Sequence, residues 1–253
     1  MKAKNRFLIC LTGAFLASGS VLADEGVTRQ DARAIDVLKN TSAYTTSLDR
    51  IAIKGISFND ARLGEGLMVS NATEVKIFID RPGSLRISSF DGKEHKDLFF
   101  HDGTLTVFNK EKGYYAQAAI PEDIDAALEF ALEELDIDAP LMDLIQSDVS
   151  VQLIGSQDPV LYLTDKARIA GKDCHHIAIR GPETDVQLWV EEGDQPLPRK
   201  FVMTSKWEGG SPRVIANLKW DTDPDFKQDV FKFEAPEGSM NIGFVNSQTD
   251  EGE

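Results

Sequence analysis

Val75-Lys76-Ile77-Phe78-Ile79-Asp80 decides the fold, because its side chains divide into two sets with a period of two. Successive side chains of a strand point to opposite faces, so Val75, Ile77 and Ile79 share one apolar face and Lys76, Phe78 and Asp80 the other. The alternation returns at Leu85 and Ile87, set against Arg86 and Ser88, and at Leu105 and Val107, set against Thr104, Thr106 and Phe108. Asp91-Gly92 and Asp102-Gly103 separate these runs, and Asn109 to Gly113 forms a longer polar turn. Asp-Gly tolerates the positive φ of a tight hairpin, so the region reads as an antiparallel meander with one buried and one wet face.

Working outward, the period changes to 3.6. Thr28 with Asp31 three residues on resembles a capping box, and Ala34, Ile35, Leu38 and Ser42 follow at helical spacing to about Ser47. Downstream, Pro121 suits a first helical turn, and Ile124, Leu128, Ala131, Leu132 and Leu135 mark an apolar stripe. Pro140 is expected to open a second short helix with Leu141, Leu144 and Ile145 on its apolar side. Strands then resume at Val160–Thr164, His175–Arg180, Val186–Glu191, Phe201–Lys206, Arg213–Trp220 and around Phe231–Phe233. Two strand-rich stretches flanking few short helices predict an α+β fold. A sheet of roughly nine to eleven strands would curl around those helices into an unclosed half-barrel. Such a concave sheet, incompletely filled, is a natural place for an apolar pocket.

The first residues address compartment. Lys2, Lys4 and Arg6 precede the uncharged run Phe7–Leu22, and Val21-Leu22-Ala23 has small residues where a leader peptidase cuts. The run is shorter than the roughly 20 residues of a membrane span, so residues 1–23 read as a signal peptide cleaved after Ala23. Residues 24–253 then read as one periplasmic domain that does not span the membrane, with an acidic, frayed tail at 245–253. Removing the leader's three basic residues deepens the formal net charge of −15 to about −18. Such a surface repels polyanions, which argues against nucleic acid as a partner. Cys10 leaves with the leader and Cys174 stays alone, so no intramolecular disulfide can form.

Few side chains suggest chemistry. In Cys174-His175-His176, a strand would set Cys174 and His176 on one face and His175 on the other. A metal site needs three or four converging ligands, and His95 and His101 lack ligand spacing, so Cys174 and His176 are weak candidates and no metal or cofactor is expected. A Cys–His nucleophile would need an orienting third group that the sequence does not supply. The carboxylates form no acid–base pair, and no phosphate loop, G-x-S-x-G or H-E-x-x-H occurs.

Several segments together resemble a family of predicted bacterial periplasmic proteins of unknown function. They are His101-Asp102-Gly103-Thr104 with Asn109 and Tyr114-Tyr115-Ala116; Ile124-Asp125-Ala126; Pro140-Leu141-Met142-Asp143-Leu144; Cys174-His175-His176-Ile177; Gln187-Leu188-Trp189; Pro196-Leu197-Pro198-Arg199-Lys200; and Phe231-Lys232-Phe233-Glu234-Ala235-Pro236-Glu237-Gly238. That family is similar to the periplasmic lipoprotein carriers of the LolA/LolB type. The resemblance implies an unclosed antiparallel barrel around short helices, with an apolar cavity for acyl chains. The carriers themselves lack these motifs, so lipoprotein trafficking is not implied.

The leading expectation is therefore a non-enzymatic binder of a lipid, acyl chain or other apolar small molecule. Ile77, Ile79, Ile87, Leu188, Val190, Phe201, Leu218 and Trp220 would line its concave face. Alternatively those residues pack solidly against the helices. The second function class is a module that contacts an envelope protein through an exposed patch containing Phe78 and Trp189. The third is an enzyme using Cys174 with His176.

Overall fold

The computed structural model describes residues 30–137, 141–154, 159–206 and 210–244. The leader, Cys10, Thr28, Pro140 and the acidic tail lie outside the described residues.

Helix α1 (Ala32–Thr46) is capped by Asp31, whose carboxylate accepts from the Arg33 amide at 3.0 Å. Its stripe of Ala34, Leu38 and Ser42 is buried as the spacing predicts. The chain then enters a hairpin of two long strands, β1 (Arg50–Arg62) and β2 (Met68–Asp80). β3 (Ser84–Phe90), β4 (His95–His101), β5 (Thr104–Asn109) and β6 (Tyr114–Ala119) continue the meander. At the β4–β5 turn Asp102 and Gly103 both take positive φ (48° and 66°), as a tight hairpin requires.

Helix α2 (Ile124–Leu135) starts at Asp123, which accepts from the amides of Asp125 and Ala126, so Pro121 precedes the helix rather than entering it. Ile124, Leu128 and Ala131 are buried, whereas Leu132 is 43% exposed and off the packed stripe. Two short helices follow, α3 (Met142–Ile145) and α4 (Val149–Ile154). The Asp148 carboxylate accepts from the Ser150 hydroxyl and from Ser42 on α1, tying the two helices together.

The second half supplies β7 (Val160–Leu163), β8 (Ala167–Ile169), β9 (Lys172–Arg180), β10 (Thr184–Glu191), β11 (Pro198–Ser205) and β12 (Arg213–Asp221). A final pair of residues, β13 (Met240–Asn241), lies parallel to β6. All thirteen join one sheet in the order β13-β6-β5-β4-β3-β2-β1-β12-β11-β10-β9-β7, with β8 on β9. The pairing is antiparallel apart from β13. Because β12 returns beside β1, the two strand-rich stretches fuse into a single sheet, as expected, and its ends do not meet.

The core lies on the inner face. Ile77, Ile79, Ile87 and Leu188 cluster there with Ala34 and Leu38 of α1, Ile124 and Leu128 of α2, and Leu144 of α3. Gly55 marks a close approach: a Cβ there would sit 2.9 Å from the Asn217 carbonyl oxygen and 3.0 Å from Leu218 Cδ2.

After β12 the chain crosses the outer face as a strap. Phe226 meets Phe78 edge-on at 5.7 Å, and Phe231 is fully buried between Phe226 and His101. Phe233 then packs against Phe99, Phe108 and Tyr115. Arg86 donates to the Val230 carbonyl at 3.2 Å and to Asp97 at 2.9 Å. The strand expected around Phe231–Phe233 is therefore a 3-10 turn (Gln228–Phe231) and an extended run laid across strands instead of pairing with them.

Candidate functional site

The inner face is a lattice of rows that cross the strands. One row reads Val107, Leu98, Ile87, Ile77, Ile53, Trp220; all are apolar, and all but the half-buried Val107 are buried. Two residues further along the strands the row becomes Asn109, Lys96, Ser89, Val75, Gly55, Leu218, and then Thr73, Ser57, Ala216, Phe201, Leu188. The helices cover the apolar rows. Where hydroxyls and amides enter on β1 to β3, a cleft of about 440 Å³ opens.

Val75, Leu98, Val107, Phe201, Met203 and Val214 form its apolar floor, and Ile137 beyond the end of α2, Leu141 before α3 and Met142 at the start of α3 face it. Ser57, Asn59, Thr73 and Ser89 supply polar atoms, and Lys96 and Asp143 one charge of each sign. Val107 on β5 and Met203 on β11 are six strands apart in the sheet order. A flat sheet would separate them by roughly 29 Å at about 4.8 Å per strand. Their meeting around one cleft shows how far the sheet curls.

Of the eight residues nominated from sequence, Phe201 borders this cleft. Ile77, Ile79, Ile87, Leu188 and Val190 are fully buried in the helix–sheet core. Trp220 is 8% exposed, and its indole N–H donates to the Pro198 carbonyl at 2.6 Å, so its polar atom is satisfied inside the core. Leu218 packs over Gly55. The remaining floor residues went unnamed. Val75 and Val107 alternate like their neighbours and Leu98 lies in an unbroken apolar run, so no local pattern marks the three as bordering the cleft.

The patch expected around Phe78 and Trp189 does not exist as one surface. Phe78 lies under Phe226 of the strap. Trp189 is held between the His176 ring, stacked at 4.1 Å and 7°, and the Lys200 ammonium 4.8 Å from its centroid. The two sit on β2 and β10, four strands apart, or roughly 19 Å across the sheet.

Cys174 and His176 do share the outer face, and His175 lies opposite Val190 on the inner one. The Cys174 thiol is fully buried, and burial pushes its pKa up, the reverse of what a nucleophile needs. His176 is engaged through Nε2 with the Gln187 side chain at 3.1 Å. Beside Cys174, Glu191 receives Lys172 at 2.5 Å and the Arg199 guanidinium at 2.8 Å. Burial alone would raise the Glu191 carboxyl, but these hydrogen bonds outweigh it and hold it below the usual carboxylate range. Among the described residues no group of three His, Cys, Asp or Glu side chains is placed to hold a metal ion.

An unclosed antiparallel sheet, curled around short helices and hollow at one end, defines a half-barrel of the kind the carrier resemblance implies. The chain belongs to the family of predicted periplasmic proteins DUF2092, matched over residues 34–245, and this assigns it to the periplasm. Among the described residues no helix is long and apolar enough to cross a membrane. No curated protein matches the sequence. Similar solved structures include a chain of the Pseudomonas aeruginosa MucA/MucB complex, with 15% identity, TM-score 0.45, and 80% of this chain covering 62% of that one. LprF from Mycobacterium bovis has 13% identity, TM-score 0.46, and coverage of 78% and 96%. A LolA superfamily protein from Nitrosomonas europaea has 10% identity, TM-score 0.38, and coverage of 79% and 97%. The chain thus spans less than two thirds of the matched chain in the first of these.

Proposed function

We propose that this periplasmic protein binds a lipid acyl chain, or another apolar chain with a polar end, in the cleft and performs no chemistry on it. The cleft between the sheet and the α2–α3 segment carries the reading. Its 440 Å³ falls within the range of small-molecule sites, and its floor is apolar with a few polar groups at one side. Apolar contact would supply affinity at about 25 cal/mol per Å² removed from water. Ser57, Asn59, Thr73, Ser89 and Lys96 would hold the polar end. Phe201 would line the bound chain, with Ile77, Ile79, Ile87, Leu188 and Val190 as the rigid base beneath. The buried thiol, with its pKa pushed up, and the engaged His176 support a non-enzymatic role.

Native mass spectrometry on protein exported to a periplasm and purified without detergent tests this. The expected result is an added mass of a few hundred daltons that leaves on activation and extracts as lipid. A bare mass, unchanged after incubation with fatty acids and phospholipids, refutes the proposal.

A further inference from the structure

The outer face carries a second feature, unrelated to the cleft. Lys54 on β1 pairs directly with Lys76 on β2 and with Lys219 on β12. Three ammonium groups therefore stand in a row across three neighbouring strands. All three are exposed, and among the described residues none has a carboxylate within ion-pair distance. Like charges set directly opposite one another destabilise a sheet. In a chain with 42 acidic residues against 27 basic ones, such a cluster is costly and stands against the overall charge.

Apolar side chains adjoin the row. Ile56, two residues along β1, is 45% exposed, and Phe58 follows on the same face opposite Ile215. Together with the lysines they border a shallow hollow of about 510 Å³. The aromatic strap, which covers Phe78 and the outer face of β3 to β6, leaves this part bare. Glu74, opposite Ile56, is the nearby carboxylate at its edge.

We propose that this surface docks an acidic, amphipathic helix of a partner protein. Its carboxylates would lie over Lys76, Lys54 and Lys219, and its apolar edge over Ile56 and Phe58. Spacing favours a helix lying across the strands. Paired residues on adjacent strands are about 5 Å apart, and side chains three and four apart on a helix are about 5–6 Å apart. An extended segment presents same-face side chains every ~6.6 Å and drifts out of step with the row. Glu74 turns acidic residues away from the Ile56 row and so fixes which edge of the helix lies there. An anionic membrane is disfavoured, because a body of strong net negative charge is repelled before three lysines can touch it.

The probe is a fluorescein-labelled helical peptide with Glu at i, i+4 and i+7 and Leu one step round the helix. Its control is an isomer of equal composition with the Glu residues dispersed around the helix. The ordered peptide should bind the mature protein at least tenfold more tightly than the isomer. Binding should weaken with salt, and Lys54→Gln/Lys76→Gln/Lys219→Gln should abolish the preference while melting at or above the wild-type temperature. Carbodiimide cross-links from peptide Glu should concentrate on these three lysines. Saturating the cleft with fatty acid should leave peptide binding unchanged, which separates this surface from the proposed cargo site. Equal binding of the two peptides, an unaffected triple variant, or cross-links spread over all exposed lysines overturns the proposal. So does lysine-dependent binding to phosphatidylglycerol vesicles without peptide binding, which assigns the row to a membrane surface.

Discussion

Thr73→Phe discriminates an open cleft from a packed core by the sign of its effect. Thr73 lies on the inner face of β2 opposite Ser57, borders the cleft, and among the described residues its hydroxyl has no hydrogen-bond partner. Thr and Phe are both good strand formers, so the backbone should accept the change. An aromatic ring buries about 150–250 Å² when fully covered. If the partly open cleft covers half of that, roughly 100 Å² leaves water, and at about 25 cal/mol per Å² the gain is at most ~2.5 kcal/mol. A solid core would respond oppositely, since overpacking costs about 1–3 kcal/mol. The expected result is a stability gain of about 1–2 kcal/mol in urea unfolding, or a Tm rise of roughly 2–8 °C for a chain of this size. In the same variant a fluorescent fatty-acid probe should bind at least tenfold more weakly, because the ring occupies the cargo's space. Destabilisation by more than about 1 kcal/mol, with fatty-acid binding unchanged, would refute both the cleft and its proposed use.

Other positions test the frame around it. Phe231→Ala should cost about 3–5 kcal/mol and raise amide exchange along the strap, because the ring is fully buried between Phe226 and His101. Glu191→Gln leaves the largely buried Arg199 facing a neutral partner, so a loss of about 3 kcal/mol is expected at pH 7. The Glu191 carboxyl titrates lower in the folded chain than in the unfolded one. Its contribution is therefore complete well above the unfolded value of about 4.3 and disappears as pH falls through the folded one. Urea midpoints between pH 7 and pH 3 should fall more steeply for wild type than for Glu191→Gln, and parallel curves would disprove the assignment. A maleimide probe should label Cys174 slowly at neutral pH and quickly only in denaturant; fast labelling of the folded chain would restore the nucleophile reading.

The meander is legible because β2, β3 and β5 alternate and Asp-Gly turns separate the runs. β1 is harder to read: Ile51 and Ile53 alternate with Ala52 and Lys54, but Gly55 and the polar residues Ser57, Asn59, Asp60 and Arg62 dilute the pattern. The pattern resumes only in register, where the inward Ile53, Gly55, Ser57 and Asn59 find partners on β12. β4 was obscured for a different reason. Leu98, Phe99 and Phe100 are all buried, because the helices cover one face and the strap the other, so no alternation survives in the sequence. The strap was the largest omission. Phe226, Phe231 and Phe233 have no single period, since each ring settles over a different strand.

The cleft's position follows from a mismatch of lengths. α2 has 12 residues and spans about 18 Å, whereas β1 and β2 have 13 residues each and extend about 43 Å. No helix of this size can cover the whole inner face of the hairpin. The rows within reach of α1, α2 and α3 are Ile, Leu and Phe, and they pack dry. Beyond that reach apolar side chains would face water, and the sequence there changes to Ser57, Asn59 and Thr73. The change is incomplete: Val75, Val107, Phe201, Met203 and Val214 stay apolar at the same border. A sheet edge needed only to end the core would be polar throughout, and this mixture is what an amphiphilic guest would meet.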